Sequence, residues 1–101
     1  MRFLVKVTFS LQKANAAAKN GFQVIQSILK QQNPEAAYFL PERGNRTGLF
    51  VVHLKDASEV AAIAEPWFIA FDATVEVTPL MLPEDLAKAG PVIAEAVKTY
   101  A

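Results

Sequence analysis

His53 is the one histidine of the chain and the side chain best suited to move a proton near neutral pH. It lies in a strand-like segment, Thr47–Lys55. Lys6 lies in another, Arg2–Phe9, and Glu76 in a third, Thr74–Leu82. If these segments are neighbours, all three side chains project from one face and converge. A carboxylate beside an imidazole favours its charged form and orients one ring nitrogen for proton transfer. The expectation is His53 as acid or base, Glu76 as its orienter and Lys6 as holder of an anionic group. A plainer reading stands beside it: the same polar groups satisfy one another across an interface between two copies.

Two aromatic residues are candidates for ligand binding. Tyr38 can line a pocket as a hydrogen-bonding ring, or pack at a sheet edge. Trp67 can wall a pocket or a subunit contact, or fill the core. Arg43 and Arg46 flank Gly44 in a polar loop, where they can meet phosphate or carboxylate, or simply solvent. Glu84 and Asp85 read as charges at a helix start. No metal site is expected, because one histidine and no cysteine leave zinc without its usual ligands. Gly44 and Gly48 lack the following Lys-Ser/Thr of a phosphate loop, and no cofactor is expected.

Composition narrows the classes. The 101 residues favour one domain, 1–101, large enough for a core without staples. The hydrophobic fraction is 52%, which argues against disorder. Ten basic residues balance ten acidic ones, so nothing favours nucleic acid or an anionic membrane surface as partner. Absence of cysteine fits a reducing compartment. Met1-Arg2-Phe3 runs straight into alternation, without the apolar core of a signal peptide, and no stretch reaches the roughly 18 apolar residues of a membrane span. The expectation is a soluble, cytoplasmic protein.

The elements that must position the candidates follow from periodicity. Arg2–Phe9 alternates with period two. Ser10 can cap a helix from about Leu11 to Gln32, with Ala14, Ala18, Gly21, Ile25 and Ile28 as its buried stripe, widened by Ala17, Val24 and Leu29. Asn33-Pro34 stops it. Ala36–Pro41 is a short strand whose proline places it at an edge. Residues 42–46 are a hairpin loop, and Thr47–Lys55 the next strand. Asp56 and Glu59 resemble a capping box, with a helix from Ala57 that breaks near Glu65; Pro66 then opens a further turn through Phe71. Thr74–Leu82 is the fourth strand. Pro83 opens a third helix, which Gly90-Pro91 splits before Val92–Tyr100.

The order is β-α-β-β-α-β with an added terminal helix: an α+β, ferredoxin-like arrangement with two helices on one face of a four-stranded antiparallel sheet. Its usual strand order, four-one-three-two, puts Arg2–Phe9 and Thr47–Lys55 at the centre. Phe3, Val5, Val7, Phe50, Val52, Leu54, Val75 and Val77 then meet the helices. Leu4, Leu49 and Val51 lie on the open face, with Arg2, Lys6, Thr8, His53, Thr74, Glu76, Thr78 and Leu80. A sheet backed on one side only should be polar on the other. This one is half apolar, which calls for a second copy.

A ferredoxin-like unit of this size, with such a face and a C-terminal helix, resembles the dimeric α+β barrel superfamily, which includes muconolactone-isomerase-like proteins and antibiotic-biosynthesis-type monooxygenases. Glu65-Pro66-Trp67 through Val77-Thr78-Pro79-Leu80-Met81 is most similar to its small uncharacterised families. The resemblance implies a homodimer with a cavity between paired sheets. Three functions stay open: binding a small organic molecule; a cofactor-independent isomerase or monooxygenase using His53; or a regulatory module that docks another protein. An RNA-recognition module is excluded, because the two central strands offer no ring on the open face.

Overall fold

The computed structural model describes residues 1–10 and 20–101. Along the described chain run β1 (Arg2–Thr8), α1 (Gly21–Gln32), β2 (Ala36–Glu42), β3 (Asn45–His53), α2 (Glu59–Phe71), β4 (Thr74–Pro79), α3 (Pro83–Lys88) and α4 (Gly90–Tyr100). The expected helix over 11–19, its Ser10 cap and its Ala14, Ala17 and Ala18 stripe lie outside the described residues.

The four strands form one antiparallel sheet in the order β2-β3-β1-β4. The two strands richest in β-branched and aromatic residues are therefore central, and Pro41 sits on an edge strand as its missing N–H requires. One face carries Val5, Val7, Phe50 and Val52, all buried, with Phe3, Val75 and Val77 packed against them. From the helices, Ile28 of α1 and Ile63, Trp67 and Phe71 of α2 close over that face. Trp67 is the central plate. It stacks on Phe50 with ring centroids 5.1 Å apart, and Phe9 meets its edge at 5.9 Å.

Local chemistry differs from the sequence reading at four points. The hairpin between β2 and β3 is not a five-residue loop. Arg43 and Gly44 alone form the turn, with φ of 51° and 78°. Two successive positive φ values match the twist of the flanking strands, and the strands extend to Glu42 and from Asn45 accordingly. Helix α2 does not break at Pro66; it runs unbroken from Glu59 to Phe71. The proline deprives the Ala62 carbonyl of its helical donor, but Ala62 is exposed, and buried Ile63, Ala64, Trp67 and Phe71 hold the turns on either side. The same helix starts at Glu59 rather than Ala57. Asp56 accepts hydrogen bonds from the Ser58 backbone and hydroxyl, while Glu59 Oε2 accepts from Lys55 N at 2.8 Å. Helix α1 ends at Asn33, whose N–H makes the last helical bond, to Leu29 O at 2.8 Å, and whose left-handed φ of 47° turns the chain out of the helix. Val24, expected in the buried stripe, is exposed.

The C-terminal region splits as the Gly90-Pro91 pair requires, into α3 and α4. Neither contains a buried residue. They extend the molecule to 56 × 28 × 20 Å with a radius of gyration of 17.0 Å. A compact domain of this length has a radius near 13 Å. Among the described residues, then, these two helices form no buried layer over the second face of the sheet.

Candidate functional site

On that open face the register sets Arg2 opposite His53, Leu4 opposite Val51, and Lys6 opposite Leu49. On the other side of β1, Leu4 pairs with Thr78 and Lys6 with Glu76. Two ionic clusters result, at different heights along the strands.

The first joins Arg2, Glu35 and His53. Glu35 Oε1 accepts from Arg2 Nε at 2.9 Å and lies 2.7 Å from His53 Nε2. Glu35 is placed there by its backbone: after the Asn33 cap and Pro34, its N–H bonds Val51 O at 2.7 Å, beside the end of β3. Hydrogen bonds from the histidine and the arginine hold the Glu35 carboxyl below the usual carboxylate range. All three side chains are partly exposed.

The second cluster centres on Lys6. Its Nζ lies 2.7 Å from Glu42 Oε2 and 3.8 Å from Glu76 Oε2. Lys6 and Glu76 thus meet as the sequence suggests, but His53 is not with them. It stands at the height of Arg2, roughly 13 Å along β1 from Lys6 at strand spacing. Glu76 therefore does not orient His53; Glu35 holds that place. Lys6 is engaged by two of the chain's own carboxylates.

Trp67 does not wall a pocket on this face. It is fully buried under α2 and donates through Nε1 to Gln32 Oε1 at 3.3 Å. Tyr38 stands on edge strand β2 opposite Leu49, 64% exposed. Arg43 forms the turn at the far end of the β2–β3 hairpin. Asp85 serves the start of α3, where its Oδ2 accepts from Leu82 N at 2.9 Å. Among the described residues no cluster of His, Asp and Glu is suited to a metal ion, and no helix is long and apolar enough to cross a membrane.

A hollow of about 380 Å³ opens beside the first cluster. Arg2, His53 and Asp85 supply its polar wall, and Met1, Leu80, Met81 and Leu82 its apolar one. A larger apolar cleft of about 520 Å³ lies at the other end, between Phe9, Phe22, Ile25, Phe39 and Phe71. Among the described residues Arg46 is its one charged lining residue, and Phe9 and Gly21 flank residues 11–19 in sequence.

Glu35 is the functional candidate that sequence reasoning missed. Its signal was the hairpin. A two-residue turn at Arg43-Gly44 pairs Ala36 with Val51 and so brings the preceding Glu35 alongside the end of β3. A five-residue loop does not fix that register.

The molecule is an α+β protein with four antiparallel strands and, among the described residues, four helices, one sheet face bare and marked by two ionic clusters. The chain belongs to the family described as "Domain of unknown function (DUF3303)", whose model matches residues 1–94. No curated protein matches it. Among solved structures it is similar to a formyltetrahydrofolate deformylase from Pseudomonas putida KT2440, at 18% identity and a TM-score of 0.46, over 78% of this chain and 28% of that one. That likeness carries no argument about activity.

Proposed function

We propose that this is a small-molecule-binding protein of ferredoxin-like fold, working as a homodimer whose open sheet faces pair around a cavity. The observation that supports this reading is the bare face. Leu4, Leu49 and Val51 stand in its middle, only half-buried, and α3 and α4 contain no buried residue. A sheet with apolar residues on both faces reaches a stable layering when each face meets another layer. The strand order supports the ferredoxin-like assignment, and the resemblance to dimeric α+β barrels supplies the mode of pairing. The cysteine-free composition fits a reducing compartment, and we place the dimer in the cytoplasm. Sedimentation equilibrium tests the pairing: the wild type is expected to be a dimer, and Leu49→Asp a folded monomer. A monomeric wild type at tens of micromolar overturns it.

A second reading is favoured by the 2.7 Å contact of His53 with Glu35. In it the protein is a cofactor-independent enzyme. Glu35 accepts from Nε2–H and fixes the tautomer, leaving Nδ1 as the proton acceptor. His53→Ala then abolishes turnover of any substrate found while the fold persists; retained turnover rejects this reading.

A further inference from the structure

We propose that Arg2, oriented by Glu35, anchors the carboxylate of a small monoanionic ligand that has an apolar body, with His53 beside it. The proposal rests on reading the open face as a ligand-binding surface, and it names the ligand class and the anchor.

The argument starts from how the guanidinium is used. Its Nε is spent on Glu35 Oε1, at 2.9 Å. That bond restricts the plane of the group, while the two terminal nitrogens make no hydrogen bond to a described residue. A planar donor pair, already oriented and still unspent, matches the two oxygens of a carboxylate. Glu35 also engages His53 Nε2, which leaves Nδ1 as the second polar contact next to Arg2. Both side chains line the hollow of about 380 Å³, a volume within the range of small-ligand sites. Its remaining wall is chiefly the aliphatic and thioether side chains of Leu80, Met81, Leu82 and Met1, which suit a ring or a short chain.

Charge then sets the number of negative groups. Asp85 lines the same hollow, and its Oδ2 is already occupied by Leu82 N. A dianion such as phosphate places its second charge near that carboxylate and is disfavoured. Lys6 does not compete as anchor, because Glu42 and Glu76 both hold it. The site therefore selects one carboxylate joined to an apolar body.

Calorimetric titration with benzoate tests this, with benzamide as the neutral probe of the same shape and inorganic phosphate as the dianion. Benzoate is expected to bind at least about tenfold tighter than either. Arg2→Gln, shown folded by circular dichroism, should weaken benzoate about tenfold to a hundredfold, the span of charge-assisted hydrogen bonds. Arg2→Lys, which keeps the charge without the fork, should recover only part of it. If Arg2→Gln fails to fold, NMR of the wild type decides: benzoate must shift the Arg2 and His53 side-chain signals. No benzoate binding, equal benzamide binding, unchanged affinity in Arg2→Gln, or shifts confined elsewhere each overturn the anchor. Sedimentation of the same samples separates the two proposals. A dimer indifferent to benzoate removes the anchor alone. A monomer that binds benzoate through Arg2 removes the paired sheets and keeps the anchor.

Discussion

The two faces of this sheet are made from the same strands and behave as different materials. Under the helices, Val5, Val7, Phe50 and Val52 meet Trp67 and Phe71, and shape decides everything. On the other side Leu4, Leu49 and Val51 sit between Arg2, Lys6 and His53, and every cation there is matched by a carboxylate. Alternation along a strand lets one segment serve both purposes at once. The difference teaches that the sheet itself separates apolar packing from charge pairing, and under the proposed function that separation divides stability from recognition. Substitutions on the first face should unfold the protein. Substitutions on the second should change what it binds.

The sharpest way to break this contrast is Trp67→Ala. Removing the plate that contacts Phe9, Phe50 and Phe71 is expected to cost about 3–5 kcal/mol, measured by urea unfolding. A loss below 1 kcal/mol would deny the covered face its role. Next is Gly48→Ala. A β-carbon there falls 2.6 Å from Phe50 Cζ, and Phe50 has nowhere to move because it stacks on Trp67. A destabilisation of about 1–3 kcal/mol is expected from that overpacking. Leu49→Asp, on the opposite face, is expected to cost the single chain about 1 kcal/mol while abolishing self-association. The mildest effect concerns Glu35. Its carboxyl is lowered in the folded protein, so its contribution is present above the ordinary carboxylate value and is lost as pH falls through the lower, folded one. Stability followed from pH 7 to pH 3 should therefore decline less steeply in Glu35→Gln than in the wild type. Parallel curves would show that the Arg2–Glu35–His53 cluster adds nothing.

Much of the covered face was legible because period-two alternation is a strong signal when one side must be apolar. Arg2–Phe9 could be sorted residue by residue. The central placement of β1 and β3 followed from their β-branched and aromatic content. What stayed hidden depended on geometry that periodicity does not carry. Arg43 adopts a positive φ that its residue type does not advertise, so the tight turn read as a longer loop. With it went the register that brings Glu35 to His53. Glu76 was chosen in its place on parity alone, which sorts residues by face but not by height along the strand. Pro66 read as a break because an isolated helix has no means of tolerating it. Here the burial of residues on both sides keeps the helix whole. Trp67 was left open between core and pocket, since an aromatic ring on a helix fits either until the packing is known.

Gln32 ties these observations to a practical end. Its amide donates to Ile63 O at 2.9 Å and accepts from the Trp67 indole, so the last turn of α1 is clasped to α2 beneath the only tryptophan in the chain. The molecule thus carries one tryptophan fluorophore, and it resides on the far side of the sheet from Arg2 and His53. Its emission follows unfolding of the helical layer and is insulated from events at the opposite surface. Tryptophan fluorescence can therefore time collapse of the interior, while tests of the proposed binding of small acids or of a second subunit call for other probes.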